Sequence, residues 1–454
     1  MKQFRNSELA EAFREWLEEA RTFLRNKVPK SKGIMDTDTR LVIHHEPGRL
    51  MQEEVVVPQS PSALLYDYRE EIPKLTTYRR VVDVLRTCPA SANLTGKFVG
   101  TSAGATLVQW EHFPERFIHE YWLRNRSLEY DATSFAEVYG SLESFIYDDE
   151  LVRNLSAPLQ NFDSDVDAIT FEQGLSARLI TPGVYESLYL RGGTFRSENK
   201  TEDRGLRSWV LTVRATEKKV VRGEHDPAPV DEIAWNRPYR LAKDLIKALR
   251  IYKKGAPTFQ FVGEYTPWAH HGGRAYPAFT FPKSDRLILS ADELGDFRKF
   301  FTTFRKVDLH KDRFLRVAID RFSSALDRKT PEDSVIDMSI CLEALLLSGL
   351  GNEEDRGNVS YRFAVHGARL LAPDVAGRQQ IFRKLKGVYR VRSKIVHGAE
   401  SYDLPKDESG KKISIDQFCD SLEQLARACF RKFFSEFERT GHTCRIDWNA
   451  VVLN

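Results

Sequence analysis

The spacing of apolar positions changes near residue 290, and that change predicts two different kinds of structure. The chain opens with Glu8, Glu11, Glu15, Glu18 and Glu19 set among spaced apolar residues, the signature of an amphipathic helix. Short alternating runs follow, such as Trp209-Val210-Leu211-Thr212-Val213 and Phe259-Gln260-Phe261-Val262, which read as strands. Turn-forming clusters, including Arg191-Gly192-Gly193 and Ala256-Pro257, separate them. Helical spacing interrupts the strands from about Pro114 to Phe145 and from Asn236 to Tyr252, so residues 1–290 predict an α+β region with room for two subdomains.

From Ser290 onward the pattern is helical throughout. Ser290 and Glu293 form a capping-box pair ahead of Leu294, Phe297, Phe301 and Phe304, and Phe314, Ala318, Phe322 and Ala325 continue the spacing in a second helix. Thr330-Pro331-Glu332-Asp333 supplies an N-cap, a proline in the first turn and early acids for a third helix that Gly349 can close. Further helices are expected over Val359 to Leu371, Val375 to His397 and Ile415 to Phe437. Residues 291–454 therefore form a separate helical domain.

Two charges interrupt these helical stripes. Ile381, Leu385, Val388 and Ile395 define an inward face on which Arg392 also falls, and Ile336, Ile340, Ala344 and Leu347 define a stripe that contains Glu343. Burying either charge alone is costly, so the two are expected to meet inside the domain, where a guanidinium can grip a carboxylate through two hydrogen bonds. A purely structural salt bridge would have the same signature. His397 precedes Gly398, a helix-terminating residue, so its imidazole belongs to a last turn whose dipole favours the protonated form. Ser393, four residues earlier, shares its face, and a simple capping role fits the histidine equally well.

Composition narrows the class. With 41% hydrophobic and 29% charged residues among 454, the chain has the make-up of a soluble globular protein. Its most apolar run, Cys341-Leu342-Glu343-Ala344-Leu345-Leu346-Leu347, is too short to span a membrane, and the acidic first helix is no targeting peptide, so a cytoplasmic protein without membrane contact is expected. Five scattered cysteines without a C-x-x-C pair predict reduced thiols and no structural zinc. Charge is uneven: Tyr361 to Glu400 holds nine basic residues against two acidic, a net of +7 in a chain whose total is +3. Such a window suits a polyanion, although a solvated basic helix face would look the same.

Ser339-Ile340-Cys341-Leu342-Glu343-Ala344-Leu345-Leu346, Ser360-Tyr361-Arg362-Phe363-Ala364 and Tyr389-Arg390-Val391-Arg392-Ser393-Lys394-Ile395-Val396-His397-Gly398 together resemble the Apea-like branch of the HEPN superfamily. Arg392 and His397, with four residues between them, fit that family's arginine–histidine motif, and the resemblance runs from Arg313 to Ala399. It implies an all-α HEPN-like helical bundle following the α+β region, and a metal-independent, cofactor-free endoribonuclease of anti-phage defence or toxin systems. The resemblance places Arg392, His397, Glu343 and Ser393 in the catalytic site and Arg390, Lys394 and Arg362 in substrate binding. It also implies RNA as the partner, a homodimer through the helical domain and control by a phage-derived or antitoxin regulator. Family members that are modified on a tyrosine two residues after the histidine have no counterpart here, because that position is Ala399.

The chemistry suits these residue types. An imidazole near its pKa can move the proton of a ribose 2′-hydroxyl or of a departing 5′-oxygen, while a guanidinium neutralises charge growing on the phosphate. A module that holds RNA or a nucleotide without cutting it, and a helical domain that only dimerises, are the rival readings. Other motifs fail on inspection: Asp163 to Asp167 starts like a calcium loop but has Ala168 at the glycine position, and His119-Glu120 has Leu123 where a zinc helix needs histidine. The pairs His44-His45 and His270-His271 are expected in loops.

Overall fold

The structure, a computed structural model, describes residues 4–27, 37–46, 49–58, 68–101, 104–125, 127–179, 209–224, 226, 232–259, 261–275, 286–349, 358–399, 401–405, 410–441 and 445–453. The chain has an N-terminal α+β region and a helical C-terminal part, and it divides into two compact units. One comprises Met1–Leu159, Ala168–Ala242 and Phe259–Pro277; the other comprises Gln160–Asp167, Lys243–Thr258 and Ala278–Asn454.

In the first unit the helix Ser7–Lys27 buries Leu9, Phe13, Trp16, Leu17, Ala20 and Leu24, the stripe its acidic spacing predicts. Helices Thr76–Thr87, Phe113–Asn125 and Ala132–Tyr147 join it around an aromatic core that includes Phe117, Tyr121, Trp122 and Tyr139. The main sheet has six antiparallel strands: in spatial order His270–Ala275, Phe261–Thr266, Glu150–Leu159, Trp209–Lys218, Leu175–Leu179 and Ala168–Glu172.

Both histidine pairs correct the expectation of loops. His44-His45 lies in strand Thr37–Glu46, paired with Arg49–Pro58, and His270-His271 opens the edge strand of the main sheet. Gly272 and Gly273 look like a turn, yet they pair with Glu264 and Gly263, because a backbone ladder needs no side chains. The turn is one step earlier, where Trp268 has φ 63°. Arg191-Gly192-Gly193 lies outside the described residues.

In the second unit the capping box at Ser290 and Glu293 opens helix Leu294–Lys306, and helices Arg313–Leu326, Pro331–Leu346, Val359–Leu371, Val375–Val396, Ile415–Thr440 and Trp448–Leu453 follow. Phe297, Phe301, Phe304, Phe322, Phe430 and Phe433 fill the core. Among the described residues the last strand is Leu287–Leu289, and this unit also draws on earlier chain. Leu287–Leu289 pairs in parallel with Phe162–Ser164, where Asp163 is held by Arg286 at 2.9 Å rather than forming a calcium loop. Helix Glu232–Tyr252 contributes its final turns, anchored by Arg250, whose two terminal nitrogens donate to Asp327 at 2.9 and 2.8 Å. Such pairings join segments far apart in sequence, and local periodicity carries no record of them.

Candidate functional site

The site is built on the Val375–Val396 helix. Asp374 caps its start, accepting the Gly377 N–H at 2.8 Å, and Leu385, Val388 and Val391 are buried along one side. Gly367 of the preceding helix lets the two pack closely, since a Cβ there would stand 2.2 Å from a Leu385 methyl. The end is a Schellman motif. Gly398, with φ 67°, donates to Ile395 O at 3.0 Å, and Ala399 N–H reaches back to Lys394 O at 3.0 Å. His397 is thus the C-cap, one residue past Val396, with its own N–H on Ser393 O at 3.0 Å.

Glu343 and Arg392 do meet, with Arg392 Nη1 donating to Glu343 Oε1 at 2.5 Å. The expected burial is not found: the side chains keep 28% and 20% exposure for arginine and glutamate, and this single hydrogen bond replaces the two-bond grip. Arg392 stands at the flank of the inward face, and Ile381 and Ile395 are only half-buried. The cause lies in the Pro331–Leu346 helix, which carries apolar residues on two faces. Its buried stripe is Val335, Met338, Cys341, Leu342 and Leu345, whereas Ile336, Ile340, Ala344 and Leu347, the stripe that contains Glu343, face half outward. Burial pushes the Glu343 carboxyl above its ordinary pKa, and the nearby guanidinium only partly opposes that shift.

Arg392 and His397 point in different directions, since five residues turn a helix by roughly 140° beyond a full circle. His397 and Ser393 are exposed, and among the described residues their side chains have no hydrogen-bond partner. Arg383, Arg390, Lys394 and His397 fall within about 60° of arc, an exposed row roughly 20 Å long. Arg362 is half-buried on the preceding helix, and its charge acts on His366 four residues later. Lys386 ties the two helices together by donating to Ser360 Oγ at 3.1 Å.

Three features escape the sequence reading. Asp403, in the segment after the helix, accepts from Lys412 at 3.0 Å and lies 3.9 Å from Lys394. His366 is buried, donates from Nδ1 to the Leu346 carbonyl at 2.6 Å and stacks on Trp448 at 4.3 Å; burial lowers its pKa. In the first unit Arg153 is fully buried between Glu217 at 2.9 Å and Glu264 at 2.5 Å, and Tyr239 donates to Glu264 at 2.6 Å.

Among the described residues, no group of three or more histidine, cysteine, aspartate or glutamate side chains is placed to hold a metal ion. Nor is any helix among them long and apolar enough to cross a membrane. No family model matches the chain, and no curated protein or solved structure is significantly similar to it.

Proposed function

We propose that the chain is a HEPN-type endoribonuclease that cuts RNA through the ribose 2′-hydroxyl without a metal, acting as an effector of anti-phage defence or as a toxin. The observation that carries this reading is the exposed row Arg383, Arg390 and Lys394, which ends at the exposed imidazole of His397. Cations along the row hold the phosphate backbone, and the imidazole, open to solvent, has room to exchange a proton with a ribose or leaving oxygen. Ser393 stands one turn behind it. Arg392, tied to Glu343 on another side of the helix, fixes the helix end. A homodimer through the helical unit would bring a second His397, so that separate imidazoles serve the attacking and departing oxygens. The α+β region then serves as the sensor on which a phage-derived or antitoxin regulator acts.

One observation favours a second reading, an RNA-binding module that does not cut. Arg392 is engaged by Glu343 and turned away from His397, so one chain does not converge the motif on a point. Incubating purified protein with RNA in EDTA separates the two. Wild type is expected to cleave, and His397→Ala to bind RNA without cleaving it, with an unchanged melting temperature. Cleavage by the variant at the wild-type rate overturns the catalytic assignment, and a shifted but intact RNA band with wild type favours the binding module.

A further inference from the structure

Resting on the reading of this face as a polyanion site, we infer that Arg390, Lys394 and Lys412 form a phosphate subsite whose place Asp403 occupies in the free protein. The Asp403 carboxylate lies 3.0 Å from Lys412 Nζ and 3.9 Å from Lys394 Nζ. Arg390, one turn before Lys394 on the same exposed face, adds its field, and the cations together hold the carboxyl below its ordinary pKa, with the Lys412 hydrogen bond foremost. A carboxylate among three cations has the charge and acceptor geometry of one phosphate oxygen pair.

Its position is built. Tyr402, just before it, donates to Glu332 Oε1 at 2.7 Å, and the Pro405 carbonyl just after it accepts the Ile413 N–H at 3.0 Å. Pro405 also lies against the helix at Gly387, where a Cβ would meet its ring at 3.7 Å. The segment is therefore held on both sides of Asp403, and the carboxylate is delivered onto the row. Because these groups face water, the internal ion pairs are weak and an incoming phosphodiester can displace the carboxylate. Lys412, outside the resembling stretch, thereby becomes a substrate-binding residue.

The test is binding of a labelled single-stranded oligodeoxyuridylate, which keeps the phosphodiesters but lacks the 2′-hydroxyl and so stays intact, across a range of salt. Asp403→Asn is expected to bind about fivefold more tightly than wild type, the scale of one exposed ion pair. Lys412→Ala is expected to weaken binding and to reduce the salt slope by about 0.7, the value of one lost phosphate contact on a single strand. In the Lys412→Ala background, Asp403→Asn should give a smaller gain, since the carboxylate then blocks a depleted site. Asp296→Asn, an equal charge change at an exposed position of the Leu294–Lys306 helix, controls for net charge and should leave affinity unchanged. If wild type binds but Asp403→Asn binds no better than Asp296→Asn, the subsite is overturned and the polyanion reading stands. If neither wild type nor Asp403→Asn binds, both fall.

Discussion

Two arginine–carboxylate contacts, one in each unit, show how differently the same chemistry behaves when its solvent access differs. In the main sheet Arg153 is fully buried, flanked by two glutamates that keep 7% exposure each, and lies 5.4 Å over the Tyr239 ring. In the helical unit Arg392 meets one glutamate at a half-open flank. The first cannot lose a partner without stranding a charge in a dry interior. The second can relax into water. A contact that water can replace is free to be exchanged for a substrate; one that water cannot reach serves the fold.

That contrast predicts its largest effect at Arg153. Arg153→Ala should cost about 3–5 kcal/mol, because the buried carboxylates of Glu217 and Glu264 lose the guanidinium that lies between them. Adding Glu217→Gln and Glu264→Gln should recover part of the loss, as coupled neighbours do. Urea unfolding measures both, and an unchanged transition in the single variant would mean that the cluster is not buried as described. Arg392→Ala should cost less, about 1–2 kcal/mol, between the exposed and buried extremes. The sign of its pH dependence is fixed by Glu343, whose folded-state pKa lies above its unfolded value. Such a group costs nothing while protonated and loses stability as pH rises through its folded pKa. The deficit of Arg392→Ala should therefore be small near pH 4 and full at neutral pH; a deficit that grows on acidification would contradict the assignment.

How far these features can be read from residues alone depends on how many faces an element offers. Helix Val359–Leu371 and the start at Thr330-Pro331 follow the spacing closely, because caps and prolines act locally. The meeting of Glu343 with Arg392 also follows, since both interrupt apolar stripes. Its degree of burial does not, because a helix with Val335, Ile336, Met338, Ile340, Cys341, Leu342, Ala344 and Leu345 presents two apolar faces and periodicity cannot choose between them. The Arg153 cluster did leave a signal. Arg153 shares its phase with Leu151 and Leu155, and Glu217 shares its phase with Leu211 and Val213, so a period of two marks both as inward charges. Asp403 left none, as its role depends on where Tyr402 and Pro405 are tied.

A third ionisable group tests whether solvent access, rather than the unit a residue belongs to, decides the outcome. His366 belongs to the helical unit, like Arg392, but is buried, like Arg153, between the Leu346 carbonyl and Trp448. Trp448 in turn donates to the Ser348 carbonyl at 2.7 Å, so the histidine joins the last helix to the end of the helix that carries Glu343. Burial, reinforced by the charge of Arg362, lowers the His366 pKa in the folded chain, and the hydrogen bond to Leu346 only partly opposes it. A depressed folded-state pKa means that the unfolded chain takes up the proton first. The contribution is present above the ordinary value of 6.5 and is lost as pH falls through the folded-state value. Comparing wild type with His366→Gln isolates this from the carboxylates, which titrate in both proteins. The gap in stability should be widest above pH 6.5, where the neutral ring keeps its stack and hydrogen bond, and should narrow as pH falls below that value. A gap independent of pH would place the ring in contact with water and would leave Arg153 as the sole buried charge site of the comparison.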